Sequence, residues 1–108
     1  MKTIAVDFDG VIHAYRQGWQ GGVIYDDPVE GAFDGIRKLV KEGYLVVIHT
    51  TRAETPERTQ SVRDWLHKHG AADLANLEIT NTKPKAIGYI DDRAVRFTNW
   101  EDIRKRYC

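Results

Sequence analysis

The run from Tyr44 to Ile48 constrains the fold more than any other stretch, because its residues Tyr-Leu-Val-Val-Ile are almost wholly apolar. A strand with one face in water alternates apolar and polar residues, whereas a strand covered on both faces is apolar throughout. The run is also far too short to span a bilayer. It therefore predicts a buried strand of a parallel sheet, whose connections require helices.

The residues before this run supply the first strand and helix. Thr3 to Phe8 is a short apolar run that ends in acid, which predicts a strand. Apolar residues from Val29 to Val40 recur at helical spacing. Asp27 is expected to cap that helix, Pro28 to occupy its first turn and Gly43 to end it. Strand, helix and strand form a right-handed crossover unit.

The second half of the chain repeats the alternation. A second helix is predicted between Thr55 as N-cap and Gly70 as terminator, with Pro56 at its first position and an apolar stripe that includes Trp65. Two further strands and a last helix follow. They are predicted at Ala86 to Ile90, at Val95 to Phe97, and from Trp100 to about Tyr107 with Asn99 as cap.

Two segments depart from this alternation. Leu77 to Thr80 looks like a strand, yet only five residues separate it from the strand at Ala86, and a parallel crossover needs about a dozen or more. We therefore expect an irregular or antiparallel edge there, or no strand. Val11 to Tyr15 and Val23 to Tyr25 flank three glycines, which predicts a hairpin over about residues 11–25.

Length and composition limit the class of protein. A chain of 108 residues is expected to form one domain, residues 1–108, a three-layer, Rossmann-like α/β domain with a mainly parallel sheet. Sixteen Lys and Arg balance sixteen Asp and Glu, so no overall charge favours nucleic acid or a membrane as partner, although a local basic patch stays open. The single cysteine, Cys108, excludes an internal disulfide framework. Without a recognisable signal core, we expect a cytoplasmic protein.

Four groups of polar residues follow predicted strands, at the ends where open α/β sheets bind their ligands. Each group alone has an ordinary explanation as a loop cap, a turn residue or a solvent-exposed lysine. Their occurrence together in one sheet favours a site. The groups are Asp7-Phe8-Asp9-Gly10, Thr50 with Thr51, Lys83 with Lys85, and Asp91-Asp92.

The carboxylates of this set indicate a cation. Asp7 and Asp9 repel each other unless a cation or a proton neutralises them. Oxygen ligands without His or Cys favour a hard cation such as Mg²⁺. A nearby Thr and Lys would complete a site for a phosphoryl group.

The four groups resemble the motifs of the haloacid dehalogenase-like superfamily, most of whose members are phosphotransferases. The resemblance spans the whole chain, with a departure between motifs two and three, where the family's usual helix is curtailed. The departure leaves open whether Lys83 or Lys85 is the motif-three lysine. No segment is long enough for a cap domain, so the chain resembles a capless member. The motifs are Ile4-Ala5-Val6-Asp7-Phe8-Asp9-Gly10-Val11, Val46-Val47-Ile48-His49-Thr50, Lys83-Pro84 and Tyr89-Ile90-Asp91-Asp92.

The resemblance implies a reaction and roles for these residues. Asp7 would attack phosphorus and form an aspartyl-phosphate, while Asp9 would protonate the leaving oxygen and then deprotonate the attacking water. A neighbouring carboxylate is expected to raise the pKa of one of the two, so that it can carry a proton. Thr50 would hold a phosphoryl oxygen and Lys83 would offset its charge. Mg²⁺ would be held by Asp7, the Asp9 carbonyl, Asp91 and Asp92.

Weaker candidates for contact with a phosphorylated substrate lie near these motifs. The predicted hairpin over residues 11–25 leaves the sheet beside the acidic pair, so we expect it to select the substrate. Its aromatic residues have an equally good explanation in packing. The candidates are Gly10, His13, Tyr15, Trp19, Thr51, Arg52 and Arg93.

Two alternatives remain beside a Mg²⁺-dependent phosphohydrolase. A receiver-like or catalytically silent domain would bind Mg²⁺ or accept a phosphoryl group without turnover. However, a receiver is expected to place its acidic pair after the first strand and its phosphorylated Asp after the third. This chain instead has Asp-x-Asp after the first strand and Asp91-Asp92 after a late strand. A phosphatase of nucleic-acid ends is the other alternative, against which the neutral net charge counts.

Overall fold

Five strands form one sheet in which each neighbouring pair is parallel. The computed structural model describes residues 2–91, 95–96 and 99–107. The strands are β1 (Thr3–Asp7), β2 (Leu45–His49), β3 (Glu78–Thr80), β4 (Gly88–Asp91) and β5 (Val95–Arg96). They lie in the order β3-β2-β1-β4-β5, so β1 is central. The predicted α/β class with a Rossmann-like parallel sheet is confirmed; Phe97, the predicted end of the last strand, lies outside the described residues.

Three helices connect or follow the strands: α1 (Ala32–Lys41), α2 (Pro56–Lys68) and α3 (Trp100–Tyr107). The predicted caps of α2 and α3 are confirmed, because Thr55 accepts a hydrogen bond from the Arg58 amide and Asn99 accepts one from the Asp102 amide at 2.9 Å. Short 3₁₀ turns lie at Thr51–Glu54 and Leu74–Asn76. No helix in the described part of the chain is both long and apolar enough to cross a membrane.

Helix α1 begins later than predicted, at Ala32 after Gly31, and Asp27 does not cap it. The residues ahead of the helix pair with another segment instead. The Asp27 carbonyl accepts from the Ala14 amide at 2.9 Å, and the Val29 amide donates to the Ile12 carbonyl at 2.8 Å. These bonds hold residues 27–29 extended, which excludes them from the helix.

The core forms where one face of the sheet meets the helices. Side chains alternate along a strand, so Ile4 and Val6 of β1 share a face with the fully buried Ile48 of β2 and Ile90 of β4. Residues of all three helices join this cluster, which includes Ile36, Leu39, Val62, Leu66 and Ile103.

The edge strand β3 corrects the expectation for Leu77 to Thr80. It pairs with β2 in parallel, with Ile79 opposite Ile48, and β4 lies on the far side of β1. The connection through residues 81–87 contains no helix, and at about 3.3 Å per residue an extended connection of this length spans roughly 20 Å. The prediction was wrong because β3 is short and its connection is extended. Tyr89 fastens this connection, since its hydroxyl donates to the Pro84 carbonyl at 2.5 Å.

The segment that joins β1 to α1, residues 8–31, is a loop and not the predicted hairpin. It contains isolated bridges from His13 to Asp9 and to Pro28 but no strand. Val11 and Ile12 are buried in the core. Because these side chains and that of His13 are buried, the start of the segment packs against the core. It therefore does not form the hydrogen-bond ladder of a separate hairpin. We refer to residues 8–31 as the β1–α1 loop.

Replacing Gly35 by Ala is expected to destabilise the protein by about 1–3 kcal/mol, as overpacking does. A Cβ at Gly35 would collide with the ring of Trp100, which is anchored by its Nε1 donating to the Val11 carbonyl at 2.9 Å. The better helix propensity of Ala offsets only about 1 kcal/mol. Urea denaturation measures the change, with the exposed helical substitution Lys41→Ala as control. An unchanged midpoint for Gly35→Ala would contradict this packing.

Candidate active site at the carboxyl edge of the sheet

The parallel register brings the first and last acidic motifs to one edge of the sheet. Val6 lies opposite Ile90, so the next residues, Asp7 and Asp91, end adjacent strands at the same level. Chain connections leave β1 and β4 in opposite directions across the sheet, which makes this the topological switch point where open α/β sheets bind ligands. The backbone thus brings the ends of β1 and β4, which carry the first and last acidic motifs, next to each other.

Asp7 and Gly10 shape the start of the β1–α1 loop. The Asp7 carboxylate accepts from the Phe8 amide at 3.0 Å. Gly10 has a φ of 84°, a left-handed conformation that a Cβ disfavours, and its amide donates to the His13 carbonyl at 2.7 Å. The chain therefore turns sharply at Gly10, and the amides of Ile12 and His13 both donate to the Phe8 carbonyl at 2.9 Å.

Two side chains, those of His13 and Arg52, bind the Asp9 carboxylate. The His13 Nδ1 lies 2.8 Å from Asp9 Oδ1, and the Arg52 Nε donates to Asp9 Oδ2 at 2.9 Å. Burial acts to raise the pKa of Asp9, but the hydrogen bonds from His13 and Arg52 and the charge of Arg52 outweigh it and lower the pKa. The raised pKa expected for one of the two aspartates is therefore not found at Asp9. The hydrogen bonds with His13 and with Arg52, a residue far away in sequence, reverse the expected direction.

His13 is a positioning residue and not the exposed substrate contact that its place in the loop suggested. Its side chain is fully buried. Its Nε2 accepts from the Asp26 amide at 3.0 Å, and a ring nitrogen that accepts carries no proton, so the neutral ring donates from Nδ1 to Asp9. The imidazole stacks on Phe8 with ring centroids 5.5 Å apart. Hydrogen bonds at both ring nitrogens fix the orientation of the imidazole and, through Nδ1, that of the Asp9 carboxylate.

Arg52 connects Asp9 to the tip of the β1–α1 loop. The side chain is 3% exposed, and besides binding Asp9 it donates from Nη1 to the Gly22 carbonyl at 2.9 Å. The ring of Trp19 lies 5.0 Å from its guanidinium carbon and that of Tyr15 lies 5.9 Å from it. Tyr15 and Trp19 therefore pack around Arg52, which agrees with the packing explanation for these aromatic residues.

Asp26 connects the β1–α1 loop to Trp65 of α2 and to Arg16 within the loop. Its carbonyl accepts from Trp65 Nε1 at 3.0 Å, and its buried carboxylate binds the Arg16 side chain and accepts from the Arg16 amide at 2.9 Å. The sequence contains no pattern that identifies this pair, because Arg16 and Asp26 are ten residues apart in a segment without periodicity. Trp65 thereby links α2 to the peptide that holds His13.

Thr50 and Thr51 occupy different positions after β2. Thr50 is buried, and its hydroxyl oxygen accepts from the Arg52 amide at 3.2 Å, a bond that does not use the hydroxyl proton. Thr51 is exposed and begins the 3₁₀ turn. Of the two residues, Thr50 is the one fixed at the carboxyl edge beside the acidic loop.

Lys83 lies in the connection between β3 and β4 with its ammonium 4.4 Å from the centroid of the Tyr89 ring. Lys83 and Lys85, the two motif-three candidates, are both exposed, so the choice between them stays open. Asp91 is described as the last residue of β4. Asp92 and Arg93 lie outside the described residues.

The residues at this edge fit Mg²⁺ by their chemistry. Asp7 and Asp91 end adjacent parallel strands, and carboxylate oxygens are the ligands this cation takes. Within the part of the chain that the structure describes, no cluster of three or more His, Cys, Asp or Glu is assembled for a metal. Such a cluster could not contain the whole predicted ligand set, because Asp92 lies outside the described residues and the Asp9 ligand is a backbone carbonyl.

Comparison with known proteins adds evidence on the fold. No protein-family model matches the chain, and no curated protein matches it. A solved structure, described as that of a conserved protein from Bacteroides thetaiotaomicron, is 24% identical, with a TM-score of 0.68 over 96% of this chain and 87% of that chain. The similarity supports the α/β fold described above.

Asp26→Asn is expected to lower stability at neutral pH and to flatten the pH dependence of unfolding. Hydrogen bonds from Arg16 hold the pKa of Asp26 well below its usual range. A carboxyl whose pKa is lower in the folded state stabilises the fold above about pH 4, its unfolded pKa, and loses that contribution as the pH falls further. The difference between parent and variant should therefore shrink between about pH 5 and pH 2.

Urea unfolding at a series of pH values measures this difference. The matched control is Asp34→Asn, because Asp34 lies 3.4 Å from Arg37 with both side chains open to solvent, and exposed pairs contribute about 0–1 kcal/mol. A gap between parent and Asp26→Asn that stays constant with pH would show that Asp26 acts through packing rather than charge.

Proposed function

We propose that this chain is a Mg²⁺-dependent phosphohydrolase that acts through an aspartyl-phosphate at Asp7, and that it is a capless member of the haloacid dehalogenase-like superfamily. The observation that supports the proposal most is the register of β1 and β4, with Asp7 and Asp91 side by side at the switch point. Thr50 follows β2 on the other side of β1. Three of the four motifs, those with Asp7, Thr50 and Asp91, thus follow neighbouring strands at one edge of the sheet, whereas Lys83 of the third motif lies against the Tyr89 ring in the connection from β3 to β4.

In this proposal Asp7 attacks the phosphorus of a phosphomonoester in line with the leaving oxygen. A bond forms between the Asp7 carboxylate and phosphorus while the ester P–O bond breaks, and the leaving oxygen takes a proton. Water then attacks the acyl phosphate, which releases inorganic phosphate and restores Asp7. Mg²⁺, held by Asp7, the Asp9 carbonyl, Asp91 and Asp92, would supply the positive charge that offsets the repulsion between two anions.

Asp9 is the proposed acid and base, and its surroundings set the order of its tasks. With its pKa lowered by His13 and Arg52, Asp9 is ionised at neutral pH before substrate arrives. A phosphate dianion beside it raises the pKa of a carboxyl, so the proton for the leaving oxygen is taken up with the substrate. Once the alcohol has left with that proton, the Asp9 carboxylate is ionised again and ready to accept a proton from the attacking water.

The remaining residues hold the phosphoryl group and the acid. Thr50 would donate its hydroxyl proton to a phosphoryl oxygen, and Lys83 would neutralise part of the charge. Arg52, first considered as a substrate contact, and His13 serve to hold Asp9 in place. Without a cap, the β1–α1 loop is the element that faces the substrate, and a phosphorylated small molecule or macromolecule fits an open site. The single cysteine of the sequence supports a cytoplasmic location, because proteins of that compartment keep their thiols reduced and do not depend on disulfides.

Asp7→Asn is expected to abolish turnover of a phosphomonoester such as p-nitrophenyl phosphate in the presence of Mg²⁺, because the amide is a poor nucleophile. Asp9→Asn should slow turnover by about 10²- to 10⁴-fold, the typical contribution of a general acid or base. Steady-state kinetics measures both, and Asp34→Asn on the surface of α1 is the matched control.

Acid quench after mixing with ³²P-labelled substrate tests the intermediate. Label that stays on Asp9→Asn protein and is lost from Asp7→Asn supports covalent catalysis. Near-normal activity of Asp7→Asn would refute it. Stable labelling of the parent protein without release of phosphate would favour the receiver-like alternative.

Asp91→Asn is expected to raise the Mg²⁺ concentration needed for half-maximal activity by at least about tenfold, since a charged ligand contributes more than a neutral amide. A Mg²⁺ titration of activity, with the same titration of Asp34→Asn, measures the shift. An unchanged Mg²⁺ requirement would remove Asp91 from the metal site and leave the role of Asp7 to be judged on its own variant.

A further inference from the structure

The connection from β3 to β4 begins beside the second motif. The Thr80 carbonyl, at the end of β3, accepts from the Thr50 amide at 2.9 Å. Thr80 also lies at the level of Asp7, through the register of β2 with both its neighbours. The Thr82 amide donates to the Thr80 hydroxyl oxygen at 3.1 Å, so the chain turns where β3 ends. Lys83 therefore follows shortly after the carboxyl edge of the sheet.

Tyr89 of β4 holds the middle of this connection. Its hydroxyl donates to the Pro84 carbonyl at 2.5 Å and accepts from the Ala86 amide at 3.3 Å. The ammonium of Lys83 lies 4.4 Å from the centroid of its ring, a distance at which a cation is attracted to the face of an aromatic ring. One side chain thus fixes the backbone on both sides of Lys85 and also the ammonium of Lys83.

The ring of Tyr89 lies on the same face of the sheet as the side chain of Asp7. Tyr89 pairs with Ala5, and because side chains alternate along a strand, Ala5 and Asp7 share a face. With strands about 4.8 Å apart and residues two apart along a strand separated by about 6.6 Å, the Cα atoms of Tyr89 and Asp7 are diagonal neighbours at roughly 8 Å. Lys83, over this ring, is therefore held on the side of the sheet where the proposed nucleophile lies.

The contact with the ring leaves the ammonium of Lys83 able to bind an anion. It uses none of the three N–H donors of the ammonium, whereas an ion pair with a carboxylate would use both donors and charge. It also restrains a flexible side chain before a ligand arrives, which reduces the rotamer entropy that binding costs. In the described part of the chain, the ammonium of Lys83 has an aromatic ring beside it and that of Lys85 has none.

We infer that Tyr89 is a positioning residue that makes Lys83, and not Lys85, the cation that binds the phosphoryl group. The inference rests on the proposed function for the place of that group, beside Asp7. The hydroxyl of Tyr89 sets the path of the connection, and its ring orients the ammonium of Lys83. Lys83 then donates to a phosphoryl oxygen, and Lys85 stays exposed to solvent.

Binding of inorganic phosphate in the presence of Mg²⁺ tells the two lysines apart without turnover. Isothermal titration calorimetry of the parent protein gives the reference dissociation constant. Lys83→Gln should weaken binding by roughly ten- to hundredfold, the range for a hydrogen bond to a charged group, while Lys85→Gln should leave it close to that of the parent. Phosphate should also shift the ¹H–¹³C resonances of the Lys83 ε-methylene more than those of Lys85.

Variants of Tyr89 separate positioning from stability. Tyr89→Leu removes the ring and the hydroxyl and should weaken phosphate binding by about two- to fivefold, the range for an exposed cation–π contact. Tyr89→Phe keeps the ring and should lose less. In the Lys83→Gln background, Tyr89→Leu should have no further effect on phosphate binding, although it still lowers the thermal midpoint.

Tyr44→Leu is the matched control. Tyr44 is also partly buried, and its hydroxyl likewise donates to a backbone carbonyl, that of Tyr107, at 3.0 Å. The control should lower the thermal midpoint and leave phosphate binding unchanged.

The outcomes separate this inference from the proposed function. Equal weakening by Lys83→Gln and Lys85→Gln, a parent that binds no phosphate, or an effect of Tyr89→Leu that persists in the Lys83→Gln background would overturn the inference. If Tyr89→Leu does not fold, Tyr89→Phe and the two lysine variants still decide. Hydrolysis of p-nitrophenyl phosphate that Lys83→Gln leaves unchanged overturns the inference and retains the proposed function. Phosphate binding through Lys83 in a parent that hydrolyses no phosphomonoester supports the inference and contradicts the proposed function.

Discussion

The ion pair between Asp9 and Arg52 is the contact on which the site and its loop depend. Arg52 is almost completely buried and Asp9 largely so, and a buried charge is tolerated only when it is paired. Removing Asp9 would leave the buried Arg52 charge uncompensated, at about 3–5 kcal/mol, whereas without Arg52 the partly exposed Asp9 carboxylate would keep its hydrogen bond with His13. The pair joins the end of β1 to the turn after β2, and through the Gly22 carbonyl it also fixes the loop tip. One guanidinium thus couples the position of Asp9 to that of the tip of the β1–α1 loop.

The architecture was predictable where local pattern and tertiary environment agree. The apolar run after Tyr44, the periodicity of α1 and α2, and the caps Thr55 and Asn99 each indicate a structure through neighbouring residues alone. The carboxyl edge was predictable because parallel strands share a direction. Asp7, Asp9, Thr50 and Asp91 therefore emerged from their position after strands.

The β1–α1 loop was predicted poorly, because its conformation is set by contacts between distant residues. His13 is buried by Phe8, Trp65 and the Asp26 amide, none of which a reading of residues 11–25 includes. The lowered pKa of Asp9 comes from its hydrogen bonds with His13 and with Arg52, and Arg52 lies forty-three residues away in sequence. The edge strand was misjudged because the expected crossover length of about a dozen or more residues presumes a helix between parallel strands. Residues 81–87 connect β3 to β4 across the sheet without a helix.

The central position of β1 has a consequence for how the chain acquires its structure. Thr3 pairs with Leu45 on one side, and Ile4 pairs with Gly88 on the other. Most strand contacts of the sheet therefore close long stretches of chain, which slows folding relative to proteins of similar size with local contacts. Until residues 88–91 arrive, one edge of β1 presents unpaired amides and carbonyls, a surface on which a strand of a second molecule can add. Intermediates formed before that pairing would be the state of this protein most prone to aggregation.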